Sequence, residues 1–311
     1  MNEHSHIERL YTFLEESSET LKPYTQKSAL KAFVETLNFL LDDAVEMPLP
    51  EETLEILSRL KAEVSGEPFS KTAMRKACQL MLLKAFKEER FSNAMMTPDT
   101  MGLLFGYLIE KLYDAPPETI LDPMVGTGNL LASLPQAMTG ETHMVGVDDD
   151  PLMVEVANNL LDALEIPHEV FAQETLTYES GTYPCIVCDF PIHKKDSNQS
   201  YLPYQVLLFH VLKLTPGGFF FALIENDFFD QPERAIFQEK VLKVAHLYGL
   251  IKLDEGMFKL HPKSVLILRR KTHEQEKIDD FLIADLPPFQ DQAAFAQTLQ
   301  RLEQWFAQRK G

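Results

Sequence analysis

The sequence predicts a mostly parallel α/β sheet of seven strands, the last one antiparallel, preceded by an all-helical domain. Three observations carry this expectation. Residues 1–93 repeat apolar side chains at helical spacing. From about residue 118 short apolar runs alternate with helix-like segments, the pattern of a parallel sheet with helices on both faces. The stretch TILDPMVGTGNLLASL (119–134) runs from an apolar strand through a glycine pair into an apolar-periodic helix.

In the first 93 residues, IERLYTFLEESSETL, SALKAFVETLNFLLDDAV, ETLEILSRLKAEV and TAMRKACQLMLLKAF each show helical periodicity. Pro23, Pro48, Pro50 and SGEPFS (65–70) separate them. The Met and Leu residues at 80–83 read as helix core rather than a binding surface. No internal repeat or low-complexity segment is present.

The strands expected after residue 93 are TILD (119–122), HMVGVD (143–148), HEVFA (168–172), PCIVCDF (184–190), GGFFFALIE (217–225), HLYGLIKL (246–253) and SVLILRR (264–270). Helical segments fall at 128–138, 151–163, 201–214 and 230–244. Only DEGMFKLHPK joins the last two strands, too short for a crossover helix, so they should pair antiparallel. DQAAFAQTLQRLEQWFAQRKG reads as a final amphipathic helix. The boundaries expected are a helical domain at 1–93 and an α/β domain at 94–311.

Composition narrows the function classes. The 311 residues include 45% apolar ones, enough for a substantial core. The longest apolar runs are strand-length, well short of the roughly 20 residues that cross a bilayer. The start lacks a basic stretch followed by an apolar one, and three cysteines make no disulfide framework, so the expected compartment is the cytoplasm. The net charge of −18 repels phosphate backbones. Weak non-specific nucleic-acid binding is therefore expected, although net charge does not dictate the character of one pocket.

Ligands of open α/β sheets bind at the carboxyl ends of strands, which points to the glycine loop. A dinucleotide fingerprint would place a third glycine where this chain has Leu131. Asp122 ends the strand four residues before Gly126, and a carboxylate there suits an ammonium or sulfonium better than a pyrophosphate. Asp148, at the end of the second strand and 20 residues past Gly128, can accept both hydroxyls of a ribose. A glycine pair alone would equally be a structural turn with solvated aspartates. Asp122, Gly126, Gly128 and Asp148 together describe adenosine with a cationic tail, which is S-adenosylmethionine.

LDPMVGTGNLL resembles the cofactor loop of class I S-adenosylmethionine-dependent methyltransferases, and its DPMVGTGN form is similar to that of adenine-N6 DNA methylases, especially the modification subunits of type I restriction systems. FSNAMMTPDTMGLLFGYLIEKL (91–112) resembles the Thr-Pro segment and helix that precede the loop in those enzymes and close over the methionine end of the cofactor. The resemblance spans roughly residues 91–271 and extends to small stand-alone methylase-like proteins of Gram-positive bacteria with a helical N-terminus. It implies a Rossmann-like methyltransferase sheet. It implies cofactor contacts from Thr97, Pro98, Asp122, Met124, Gly126, Thr127, Gly128, Asn129, Asp148 and Asp149. Glu174, in AQETL, would face the adenine of the cofactor.

The fourth strand ends in IVCDFPIHKK, where adenine-N6 methylases carry Asn or Asp, two prolines and an aromatic. There the carboxylate or amide oxygen and a backbone carbonyl accept hydrogen bonds from the exocyclic amine and aim its lone pair at the methyl group, about 3–3.5 Å away. The aromatic stacks on the extruded base. The corresponding residues here are Asp189, Phe190, Pro191 and Ile192. Ile192 has no π face, and stacking contributes about 1–3 kcal/mol per base, so an adenine site would be weakened. Phe190 would point the opposite way along an extended segment. The resemblance also implies Phe258 as an aromatic against the substrate base, although a linker or core role fits it equally. His193, Lys194 and Lys195 could meet an anionic substrate at the pocket mouth or be solvated turn residues.

Cys185 and Cys188 form a C-x-x-C inside an apolar strand with no second pair, which reads as packing rather than a metal or redox site. The nine histidines show no metal-ligand spacing. The expected function is methyl transfer to an amino nitrogen of the adenine-N6 type. Its alternatives are a methyltransferase acting on RNA, protein or a small molecule, and a non-catalytic cofactor-binding sensor. In the last case the helical N-terminal domain would be a protein-interaction surface.

Overall fold

A computed structural model describes residues 3–65, 69–192, 200–258, 261–278 and 280–308. Its first four helices, α1 (Glu3–Leu21), α2 (Ala29–Asp42), α3 (Glu51–Val64) and α4 (Lys71–Glu89), occupy the four segments marked by helical periodicity. The Ser28 and Ser70 hydroxyls cap α2 and α4, accepting from the backbone N–H of Lys31 and Ala73 at 3.1 Å each. Both helices stop at a residue in the left-handed region, Asp43 and Arg90. Met81 and Leu82 on α4 are buried, whereas Leu80 is half-exposed.

The sheet elements follow in chain order: α5 (Asp99–Leu112), β1 (Thr119–Asp122), α6 (Asn129–Ser133), β2 (His143–Asp148), α7 (Pro151–Ala163), β3 (His168–Ala172), β4 (Tyr183–Asp189), α8 (Leu202–His210), β5 (Leu214–Glu225), α9 (Arg234–Val244), β6 (Ala245–Leu253), β7 (Lys263–Arg270), β8 (Leu282–Leu286) and α10 (Gln292–Ala307). They build one sheet of order β3-β2-β1-β4-β5-β7-β6-β8. β7 runs antiparallel to both β5 and β6, as its short linker from β6 dictates.

The eighth strand is the one departure from the expected seven. β8 pairs parallel with the outer side of β6, Gly249 opposite Leu282 through Leu253 opposite Leu286. Only Leu282 and Leu286 are fully buried, Ala284 packs partly buried between them, and Ile283 is 74% exposed. A five-residue edge strand with so few buried side chains carries little apolar periodicity.

Two apolar layers flank the sheet. One packs the N-terminal helices with α5, α7 and α10 against side chains such as Ile120, Met144, Val187 and Phe221. The other packs α8 and α9 against Leu121, Ile186, Phe220 and Leu266. The N-terminal helices therefore share a core with one face of the sheet. Cys185 belongs to the first layer and Cys188 to the second, both fully buried and on opposite faces of β4. Two side chains so placed cannot close on one metal ion. None of the described helices is long and apolar enough to cross a membrane.

The strand order reverses between β1 and β4, because the chain passes from β1 outward to β3 and then returns to the other side of β1. The crevice outside the carboxyl ends at such a reversal is where an open α/β sheet binds its ligand. Asp122, Asp148 and Asp189 terminate the three strands that frame it.

Candidate functional site

A cavity of about 550 Å³ opens at that reversal. Its wall comprises the loop after β1 (Pro123, Met124, Val125, Gly126, Thr127, Asn129), the acids after β2 (Asp148, Asp149, Asp150) and Glu174–Leu176 after β3. Asp189 and Pro191 after β4, Met95 and Thr97 before α5, Met153 on α7, and Leu202 and Gln205 on α8 complete it.

The glycine loop is shaped by its neighbours. Gly126 (φ +51°) and Gly128 (φ +76°) both take left-handed backbone that L side chains rarely adopt. A Cβ on Gly128 would press against Ala157 at 3.0 Å, so this glycine also lets α6 pack on α7. Asp148 ties the loop to β2: one carboxylate oxygen accepts from Gly126 N–H at 2.9 Å and the other from Asp150 N–H at 3.0 Å. Burial raises the Asp148 carboxyl above its ordinary range, with Asp149 and Asp150 adding to it and the two N–H donors opposing.

Asp122 lies under the loop, 1% exposed, and accepts from Met124 N–H at 3.1 Å. Burial pushes its pKa up to about 8; the charges of Asp189 and Asp148 push the same way, and the Met124 donor opposes. A carboxyl so placed gains its charge most readily when a cation sits beside it.

Asp189 is held from two sides. Thr97 Oγ1 donates to Oδ2 at 2.8 Å, and Lys263 Nζ pairs with Oδ1 at 2.5 Å. Lys263 Nζ also donates to the Phe190 carbonyl at 3.2 Å and lies 5.6 Å from the centre of the Phe258 ring. Lys263 opens β7 opposite Glu225 of β5. Asn226 N–H donates to Pro262 O at 2.9 Å and Ser264 Oγ to Asn226 Oδ1 at 2.7 Å, which anchors the start of β7 to the end of β5.

The helical region reaches the loop directly. Gln79 of α4 donates to Asn129 Oδ1 at 2.8 Å, and Asn129 in turn donates to Thr97 O at 2.6 Å. Gln79, Lys76 and Arg75 of α4 also all hold Asp99, the first residue of α5. Gln79→Leu should therefore cost about 1–3 kcal/mol in urea denaturation, because it leaves the buried Asn129 amide and Asp99 short of a donor. A loss below about 0.5 kcal/mol, typical of an inconsequential surface change, would show that this link does not fasten the loop.

The YtxK N-terminal helical domain family matches residues 8–86. The uncharacterized protein YtxK of Bacillus subtilis (strain 168) is 27% identical over 98% of this chain and 99% of its own length. The crystal structure of a candidate class I S-adenosylmethionine-dependent methyltransferase from Listeria monocytogenes superposes with a TM-score of 0.83, at 26% identity, covering 97% of this chain and 99% of that one. The fold is that of the class I S-adenosylmethionine-dependent methyltransferases. The modification subunit of a type I restriction enzyme from Vibrio vulnificus YJ016 shares it more distantly, with a TM-score of 0.64 and 15% identity over 90% of this chain and 66% of that one.

On this methyltransferase fold, the cavity brings together Thr97, Met124, Gly126, Thr127, Asn129, Asp148, Asp149, Glu174, Asp189 and Pro191 from the residues picked out in the sequence, with Asp122 beneath them. Others sit apart from its lining. Pro98 occupies the position just before α5, and Gly128 is turned toward α7. Phe190 is 2% exposed in the core layer under α8 and α9. Ile192 lies in the turn beyond Pro191, and Phe258 packs against Lys263. His193, Lys194 and Lys195 lie outside the described residues.

Sequence reasoning missed Lys263. It is a lysine at the head of an apolar strand, and nothing in HPKSVLILRR marks it as the partner of an acid 74 positions earlier. Met95, Leu202 and Gln205 were missed for the same reason: only the packing of α5 and α8 brings them to the cavity.

Proposed function

We propose that this chain binds S-adenosylmethionine in the cavity at the carboxyl ends of β1, β2 and β4 and transfers its methyl group to an amino nitrogen received by Asp189. One observation carries the reading: the glycine loop, an acid at the end of β2 and an acid at the end of β4 line one space, with a third acid buried beneath the loop. The donor set fits this cofactor. Carboxylates suit ribose hydroxyls and cationic sulfur and ammonium groups, and the acid-rich wall disfavours a pyrophosphate. The volume lies within the range of about 300–1,000 Å³ usual for small-molecule sites. When bound, the cofactor supplies an activated methyl group on a positively charged sulfur.

Within this reading each residue has a task. Asp148 accepts the ribose hydroxyls, with Gly126 and Asp150 N–H holding its carboxylate in place. Thr97, Met124, Thr127, Asn129 and Asp149 close the wall around it, and Glu174 borders the adenine. Asp122 answers the positive end of the ligand. Asp189 orients the acceptor amine, and Thr97 fixes the carboxylate plane. Pro191 borders the acceptor's path.

The acceptor class is drawn from the same motif. An adenine N6 amine matches Asp189, and the fold shared with restriction-modification methylase subunits favours a nucleic-acid base. Ile192 in place of an aromatic and the charge of −18 argue for a weakly held base, or for RNA, protein or a small amine. A second reading, a non-catalytic sensor of S-adenosylmethionine, is favoured by one observation, the ion pair that occupies Asp189.

Label transfer separates the readings. Purified protein and tritiated-methyl S-adenosylmethionine are incubated with extract from cells lacking the gene, then fractionated into DNA, RNA, protein and small molecules. The blank is Asp189→Ala paired with Lys263→Met. Label in one fraction and absent from the blank is the expected result. Cofactor binding with no label in any fraction would leave the sensor.

A further inference from the structure

The acceptor site of the proposed reaction already holds an amine of the protein itself. Asp189 Oδ1 and the Phe190 carbonyl are one side-chain and one backbone acceptor. They converge on a single nitrogen, Lys263 Nζ, at 2.5 Å and 3.2 Å. A primary exocyclic amine carries two N–H donors, and two acceptors meeting at one nitrogen are what it requires. Lys263 is not a surface lysine that can swing into water: it is 3% exposed, starts β7, and lies against the Phe258 ring.

We infer that Lys263 is a specificity-determining residue, the resident competitor for the amine site on Asp189. The inference rests on the reading that Asp189 receives the acceptor. An amine reaches Asp189 only by displacing a charge-assisted hydrogen bond. The acceptor must draw the energy for that from contacts remote from the amine. A bare adenine lacks such contacts, and Ile192 gives it no aromatic to stack on. The true acceptor is therefore a larger molecule whose amine is presented by contacts elsewhere, and free adenosine is shut out.

The test measures binding in protein saturated with S-adenosylhomocysteine, so that adenosine cannot enter the cofactor cavity. Adenosine and N6,N6-dimethyladenosine, which has no amine N–H, are titrated into wild type and Lys263→Met. Adenosine should bind the variant about tenfold or more tightly than wild type, the factor carried by one hydrogen bond to a charged group. Dimethyladenosine should show no such gain. Lys263→Gln, which keeps the reach and loses the charge, serves if the Met variant does not fold. A gain shared by both nucleosides would mean that Lys263 only fills space, and no gain with S-adenosylhomocysteine still bound would mean that it does not compete. Either result overturns the inference. So would a mass increase of one methyl on Lys263 in wild type incubated with S-adenosylmethionine, since Lys263 would then be the acceptor. Failure of S-adenosylhomocysteine to bind wild type, seen before any nucleoside is added, would overturn the cofactor reading and this inference with it.

Discussion

Asp122→Asn should stabilise the ligand-free protein and weaken S-adenosylmethionine binding at the same time. The Asp122 carboxyl is buried and its pKa stands at about 8, against 3.8 for an ordinary aspartate. Between those values the unfolded chain has released a proton that the folded chain still holds. The folded state binds more protons there, so this group makes stability fall as pH rises through that window. Asn is nearly isosteric, still accepts from Met124 N–H and has no proton to lose. The variant should gain about 2 kcal/mol or more at pH 8 over wild type, and little at pH 4, in urea denaturation. The opposite holds for ligand binding: a cation in the cavity favours charged Asp122, so wild-type affinity should rise toward pH 8 and the Asn variant should lose that rise. Parallel stability profiles for the two proteins between pH 4 and pH 8 would show that Asp122 does not carry this proton.

The second large effect concerns the pair at the end of β4. Asp189→Ala should destabilise the protein by about 3–5 kcal/mol, more than a cavity-lining acid would ordinarily cost, because it leaves Lys263 buried without its counter-charge. Asp189→Ala with Lys263→Met should recover most of that loss, since removing both members of a buried pair is often close to neutral. The single variant is thus a poor blank in any activity assay, as loss of turnover would be inseparable from loss of fold. A double-mutant cycle on thermal or urea unfolding measures the coupling. A single variant as stable as wild type would show that water reaches Lys263 and that the pair is not the fastening described here.

Much of the fold was legible because its signals are local. Four amphipathic helices, the alternation from β1 to β5 and the short β6–β7 linker each fit within a window of a few residues, and each stands where periodicity put it. β8 left no comparable signal, because an edge strand buries little. The same division runs through the site. Asp122, the glycine loop and Asp148 sit at strand ends and in a tight loop, where residue type and position along the chain already place them at one end of the sheet. Lys263, Gln79 and Gln205 owe their places to tertiary packing, and sequence spacing says nothing of that. Phe190 lies between the two cases: strand alternation pointed it away from Asp189, and it is buried in the core under α8.

Binding of S-adenosylmethionine in this cavity should depend on Asp148. Calorimetric titration of the cofactor into wild type and Asp148→Ala, with circular dichroism confirming that both are folded, tests it most directly. One saturable site per chain in wild type, weakened about tenfold or more in the variant as hydrogen bonds to a carboxylate are lost, is the predicted result. No saturable binding in wild type, or equal affinity in the two proteins, would contradict it.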